Sequence, residues 1–251
     1  SGSGPIFQIC KAFRDGEVGR AHNIEFTMLE WYRPGFDHRR LMAETGALLC
    51  TLTEHTTWRV VRYAKVFQAT LGVDPHDASD ELLKRCAARH THVSTPTIAD
   101  LRRVDLLELL FSQAIQPTLK GLQFVYDFPS CLSALAKVYP GTPPVAARFE
   151  GYLDGAEVAN GYHELADPVE QRARMAADQT TRRLLGLPTV PIDELLLAAV
   201  GHGIGDVAGV AVGVDRVVAA SVRNDSLDGI MAFAANRLCA RLDAPQAALA
   251  R

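Results

Sequence analysis

The chain has 251 residues, a net charge of −3 and 48% hydrophobic residues, enough for one large domain or two small ones. The slight acidity argues against broad nucleic-acid binding, no apolar run reaches membrane-spanning length, and no signal peptide opens the chain. Cys10, Cys50, Cys86, Cys131 and Cys239 are odd in number and lack CxxC spacing, which fits a reduced, cytoplasmic setting without a zinc site.

Pro5 to Phe13 (PIFQICKAF) reads as a strand, and the charged, Gly-containing Arg14 to Arg20 as a loop. Glu25 to Arg33 (EFTMLEWYR) alternates and forms the return strand, with Phe26, Met28, Glu30 and Tyr32 on one face. A glutamate among aromatics on a strand face is unusual for core. Pro34-Gly35 ends that strand, and Phe36 to roughly Thr53 is helical, with Leu41, Leu48, Leu49 and Leu52 at helical spacing. From about 58 to 121 the chain reads as a helical insertion. Its periodic segments are Arg62 to Leu71, Ser79 to Arg89 and Thr97 to Ile115, with solvated polar faces and no visible chemistry. Leu122 to Phe128 is a strand, followed by a Pro-rich loop at Tyr139 to Pro144.

Arg148 to Leu165 predicts a hairpin turning at Asp154-Gly155, a strong two-residue turn signal. Alternation puts Glu150 with Tyr152, and Asn160 with Tyr162 and Glu164. With Glu157, three glutamates, an asparagine and a tyrosine gather in one small area, where like charges raise one another's pKa unless cations sit among them. Two readings stand side by side: a site for Mg²⁺ and an ammonium-bearing substrate, or a solvated edge hairpin. Asp167-Pro168 opens a charged helix that Gly186 ends. Ile192 to Val200 is a short helix, Val207 to Val212 a buried strand, and Gly213 to Arg216 opens a helix to about Arg223. A last helix is expected over Leu227 to Leu238, before an Ala-rich tail. Hairpins dominate the strands, which favours an α+β architecture: an antiparallel sheet with flanking helices.

The stretches FRDGEVGRAHNIEFTMLEWYR (Phe13 to Arg33), EVANGYHEL (Glu157 to Leu165) and GVAVGVDR (Gly209 to Arg216) resemble class II aminoacyl-tRNA synthetases of the lysine group. Glu30 to Arg33, Ala159 to Leu165 and the helical insertion resemble more closely their paralogues, the elongation factor P–(R)-β-lysine ligases. The resemblance runs from Gly4 to about Arg237. It implies a single class II catalytic domain over 1–251 with the insertion at 58–121, incomplete at its N-terminus. The reaction it implies is ATP-dependent activation of (R)-β-lysine or lysine and transfer to a lysine of elongation factor P. It implies ATP and Mg²⁺ as cofactors, no tRNA, no membrane, and a homodimer in the full-length family.

Residue by residue, Arg14 and Arg216 resemble the family's two catalytic arginines on ATP, and His22, Asn23 and Phe26 its other ATP contacts, Phe26 against adenine. Glu150 and Glu157 match the Mg²⁺–ATP carboxylates. Glu30 matches the contact to the substrate α- or β-ammonium, and Tyr32 and Glu164 those to the ε-ammonium. Asn160 matches the carboxylate contact and Tyr162 the wall along the methylene chain. Ala159 stands where synthetases usually carry glycine, and His163 where they carry serine; a methyl at 159 is expected to crowd α-lysine.

The chain departs from the pattern at Gly16, where the family has glutamate on the adenine side and the adjacent Glu17 is the substitute, and at Ile24, where it has proline. The family also begins roughly a hundred residues earlier, about one domain. Alternatives left open are a lysyl-tRNA synthetase-like enzyme and a non-catalytic remnant that binds nucleotide or a partner.

Overall fold

A computed structural model describes residues 2–16, 19–20, 22–224 and 226–235. The chain runs through β1 (Ile6–Phe13), β2 (Glu25–Pro34), α1 (His38–Leu52), β3 (Arg59–Arg62), α2 (Tyr63–Leu71), α3 (Asp80–His90), α4 (Thr95–Ala99) and α5 (Arg103–Leu110). It continues through β4 (Leu122–Pro129), β5 (Val138–Tyr139), β6 (Val145–Leu153), β7 (Ala156–His163), α6 (Pro168–Leu184), α7 (Glu194–Gly203), β8 (Val207–Gly213) and α8 (Val214–Ser221). The strands form one sheet in the order β1-β2-β8-β7-β6-β4-β3, with β5 also paired to β6. Every pairing is antiparallel except β3 with β4. None of the described helices is long and apolar enough to cross a membrane.

Each face of the sheet has its own core. Helix α1 covers one face: Leu41, Met42 and Leu49 pack with Trp31, Phe124, Phe149, Val210 and Val212. Its start is fixed by Asp37, whose carboxylate accepts from Arg40 N at 2.8 Å. The other face is covered only toward β6 and β4, where the insertion seats Tyr63, Phe67, Leu83, Leu106 and Leu110 against Val125, Phe128 and Tyr152. Full burial of each large apolar side chain stabilises by about 1.5–3 kcal/mol. Over β2, β8 and β7 the described residues leave that second face open around a cavity.

Strand β8 explains the division. Its sequence VAGVAVG alternates valine or alanine with small residues, so Ala208, Val210 and Val212 enter the α1 core while Gly209, Ala211 and Gly213 lie on the open face. The hairpin turns where expected: Asp154 (φ 47°) and Gly155 (φ 86°) both take the left-handed conformation of a type I′ turn. Helix α6 is capped by Asp167, which accepts from Val169 N and Glu170 N, and ends before Gly186 (φ 67°).

Several expectations need correction. The helix expected over Thr97 to Ile115 is two, α4 and α5, because Arg102 and Asp105 form a cap that starts a new helix. Helix α5 then widens into a π turn at Phe111–Ile115. Strand β3 was not foreseen; four residues are too few for a periodic signal. Leu52 ends α1 exposed rather than in the core. The first part of the expected last helix is a 3-10 turn, Leu227–Gly229, followed by irregular chain to Ala234, with Ala235 helical. Its later part, Cys239, the Ala-rich tail and Glu17 lie outside the described residues.

Candidate active site

The open face holds a cavity of ≈ 370 Å³ floored by β2, β8 and β7. Register places its side chains in rows across the strands. One row is Gln8, Glu30, Ala211, Asn160 and Glu150, on β1, β2, β8, β7 and β6. The next is Tyr32, Gly209, Tyr162 and Arg148. Of the residues predicted from sequence, Arg14, His22, Asn23, Phe26, Glu30, Glu157, Ala159, Asn160, Tyr162 and Arg216 border the cavity.

Glu157 arrives by a device that alternation does not show. Between Gly151 and Tyr152 the β6–β7 register shifts: Gly151 faces Ala159, but Tyr152 faces Glu157. Val158 is the extra residue of a β-bulge, which turns Glu157 onto the face of Glu150 and Asn160. Burial, and then the neighbouring Glu150, push the Glu157 carboxyl up to about 7, against the pull of Arg216, Arg148 and Arg14.

At one end of the cavity, the Arg14 guanidinium lies 5.3 Å from the centre of the Phe26 ring. Arg216, in the first turn of α8, donates to Glu157 O at 2.7 Å. Asp215 beside it accepts from Thr27 N at 2.5 Å, which fixes the start of α8 to β2. Phe26 is half-buried and belongs to neither core, so its ring is available to the cavity. Asn23 is buried with its amide committed to the backbone: it donates to Glu25 O and accepts from Ala235 N. It therefore braces the loop that presents exposed His22.

One row of side chains beyond Glu30 and Asn160, outside the cavity lining itself, Tyr32 and Glu164 converge above Gly209. A Cβ at 209 would stand 2.5 Å from Glu164 Oε1 and 2.5 Å from Tyr32 Cε1, so only glycine lets the two meet. Burial pushes the Glu164 carboxyl up to about 7. The Tyr32 hydroxyl is raised by burial and then by Glu164 and Glu30. Neither Glu30 nor Glu164 has a salt bridge among the described residues. Asn160 Oδ1 is buried without a hydrogen-bond donor among the described residues. The cavity's own cations, Arg14 and Arg216, stand beside Phe26 and Glu157; among the described residues none pairs with Glu30 or Glu164, which leaves those two carboxylates available to a cationic ligand.

Two predicted residues are not where their roles require. Ala159 borders the cavity, but its methyl packs in the α1 core, 3.2 Å from where a Cβ on Gly151 would lie. Alternation from Asn160 forces this. The methyl group on the cavity floor is that of Ala211, between Glu30 and Asn160. Glu150 is buried outside the main cavity, in an adjoining pocket of ≈ 170 Å³ that Glu157 also borders. Both of its oxygens are taken, one by Arg148 and one by the Tyr152 hydroxyl. No described group of three or more His, Cys, Asp or Glu residues is arranged to hold a metal by itself.

Sequence reasoning missed Gln8, Gly209, Ala211, Asp215 and Arg148. The small-residue positions of VAGVAVG were a readable signal for Gly209 and Ala211; Gln8 and Arg148 carried none beyond alternation.

The model of the family tRNA synthetases class II (D, K and N) matches residues 1–237. The elongation factor P–(R)-β-lysine ligase of Vibrio cholerae is 46% identical over 235 residues, covering 93% of this chain and 72% of the relative. That of Edwardsiella ictaluri is 43% identical over 241 residues, covering 94% and 73%. That of Pseudoalteromonas translucida is 41% identical over 239 residues, covering 94% and 74%. With its sheet, motifs and cavity in place, the chain belongs to the class II tRNA synthetase (D, K and N) family and, within it, to the elongation factor P–(R)-β-lysine ligases.

Proposed function

We propose that this protein activates a lysine-type diamino acid, (R)-β-lysine, with ATP and transfers it to the ε-amine of a lysine on elongation factor P. The observation that carries the reading is the cavity's polarity. Arg14 and Arg216 line it with Phe26, the row Glu30, Ala211 and Asn160 crosses its floor, and Tyr32 and Glu164 meet above Gly209 in the next row of side chains.

In the first step the amino-acid carboxylate attacks the ATP α-phosphorus, the bond to pyrophosphate breaks, and an aminoacyl-adenylate forms. Arg14 and Arg216 stabilise the negative charge that grows on the phosphoryl oxygens, and Phe26 offers its ring to the adenine. Glu30 receives one substrate ammonium; Glu164 and Tyr32 receive the other. Tyr162 lies along the methylene chain, and the Asn160 amide N–H donates to the carboxylate end. In the second step the acceptor amine attacks the carbonyl, an amide forms and AMP leaves. Rate enhancement comes from positioning and fixed charge.

The donor set fits Mg²⁺ in the form that uses one or two carboxylates plus phosphate oxygens. Glu157 would hold it, with Glu150 beside it kept in place by Arg148 and Tyr152. When bound, the ion neutralises phosphate charge next to a carboxylate that burial otherwise protonates.

The test is ATP–pyrophosphate exchange with (R)-β-lysine, α-lysine and no amino acid, followed by transfer to elongation factor P. Exchange favouring β-lysine and label on elongation factor P are expected. Exchange with α-lysine alone would replace this reading with a lysyl-tRNA synthetase-like one, and ATP binding without exchange would replace it with a non-catalytic nucleotide binder.

A further inference from the structure

Glu30 stands on the cavity floor opposite Ala211, and one side chain from outside the cavity holds it. Gln8, directly opposite on β1, donates its amide Nε2 to Glu30 Oε2 at 2.9 Å. The row Gln8–Glu30–Ala211–Asn160 puts Glu30 and Asn160 two strand spacings apart, about 10 Å, with only the Ala211 methyl between them. A ligand carbon carrying an ammonium must fit that gap, so the angle at which Glu30 leans over Ala211 sets where the ammonium sits.

We infer that Gln8 is a positioning residue for amino-acid recognition: its amide fixes one oxygen of Glu30 and leaves the other for the substrate ammonium adjacent to the reacting carboxyl. A neutral donor has a particular advantage here. A lysine or arginine at position 8 would hold Glu30 equally well but would cancel its charge and repel the incoming ammonium. A glutamine orients the carboxylate without bringing a charge of its own. The inference deepens the proposed function and rests on it, because the ligand is a diamino acid only in that reading.

The test is equilibrium binding of (R)-β-lysine to the ATP-free protein by calorimetry, from pH 5.5 to 8, with thermal unfolding as the check on folding. Gln8→Val removes the donor but keeps a strand-favouring residue on β1. It is expected to weaken binding about tenfold at every pH, the loss of one charge-assisted hydrogen bond partly shared with water. Gln8→Glu is the sharper variant. The groups facing position 8 are Glu30 and, beyond it, Tyr32 and Glu164. At pH 8 a second carboxylate pushes Glu30 away, so binding falls at least as far as in Gln8→Val. As pH falls toward 5.5, the two adjacent carboxylates come to share a proton, because like charges this close raise one another's pKa; the shared proton bridges them as the glutamine amide did, and the ratio of variant to wild-type Kd moves back toward one. A merely structural role for Gln8 moves neither the ratio nor its pH dependence. Wild-type affinity in both variants, or equal pH dependence in both, overturns the clamp while leaving the proposed function standing. Absence of diamino-acid binding by the wild-type protein overturns both.

Discussion

Two patches of the same sheet face treat carboxylates in opposite ways. Over β6 and β4, under the insertion, Glu150 has an arginine on one oxygen and a tyrosine hydroxyl on the other, inside a wall formed by Tyr63, Phe111, Phe128 and Tyr152. Over β2 and β8, two strands away, Glu30 and Glu164 have no cationic partner among the described residues, and the floor is glycine and alanine. The first patch is complete without a ligand and the second is not. The difference lies in what each strand sends upward: large aromatics and Arg148 from β4 and β6, and a hydrogen atom or a methyl group from β8.

The largest expected effect lies in the finished patch. Arg148→Met leaves Glu150 buried with its ion pair broken, a cost of about 3–5 kcal/mol. In a chain this size that lowers the melting temperature by roughly 6–20 °C. Removal of Glu30 from the open patch is expected to leave the melting temperature nearly unchanged; equal losses in both variants would erase the distinction.

Gly209→Ala attacks the open patch. The new methyl forces Tyr32 and Glu164 apart, and overpacking of this kind costs about 1–3 kcal/mol. Amino-acid affinity is expected to fall roughly 10- to 100-fold with ATP affinity unchanged, as read by separate titrations of the two ligands.

A smaller effect follows from Glu164, whose carboxyl titrates near 7 in the folded protein, above its ordinary range. Below that pH it is neutral and a poor partner for an ammonium. Diamino-acid affinity should therefore rise by up to tenfold between pH 6 and 8, with proton release on binding near pH 7. Calorimetry in buffers of different ionisation enthalpy measures that proton, and Glu164→Gln should abolish it. For the ligand-free fold the sign is reversed. The native state holds this proton more tightly than the unfolded chain, so the contribution to stability is present at low pH and is lost as pH rises through about 7. The same holds for Glu157.

The smallest effect concerns Ala211→Gly. It deletes one methyl from the floor between Glu30 and Asn160, worth about 0.8 kcal/mol or a factor of about four. The ratio of exchange rates with α-lysine and β-lysine should shift toward α-lysine by that factor. The matching change at Ala159, whose methyl lies in the core, should leave the ratio alone and lower stability instead.

Most of the architecture was legible because its signals are local. Asp154-Gly155 demanded its turn, Asp167-Pro168 its helix start, and VAGVAV its buried strand. The site was legible in outline because strand alternation carries Phe26, Glu30, Asn160, Tyr162 and Glu164 to one face. What escaped was non-local or broke the alternation. The bulge at Val158 moves Glu157 to the face that alternation denies it. The methyl of Ala159 obeys alternation and so lies in the core. Gln8 depends on a pairing between two strands that neither strand's sequence states alone, and the saturation of Glu150 depends on side-chain geometry above the sheet.

The alternation within β8 has one more consequence. Residues 208, 210 and 212 decide how firmly the sheet rests on α1, while 209, 211 and 213 decide what fits over it. A single-residue step along the strand thus separates two kinds of heritable change. Substrate choice can drift at the odd positions while the fold holds still, and packing can drift at the even ones while the pocket keeps its shape.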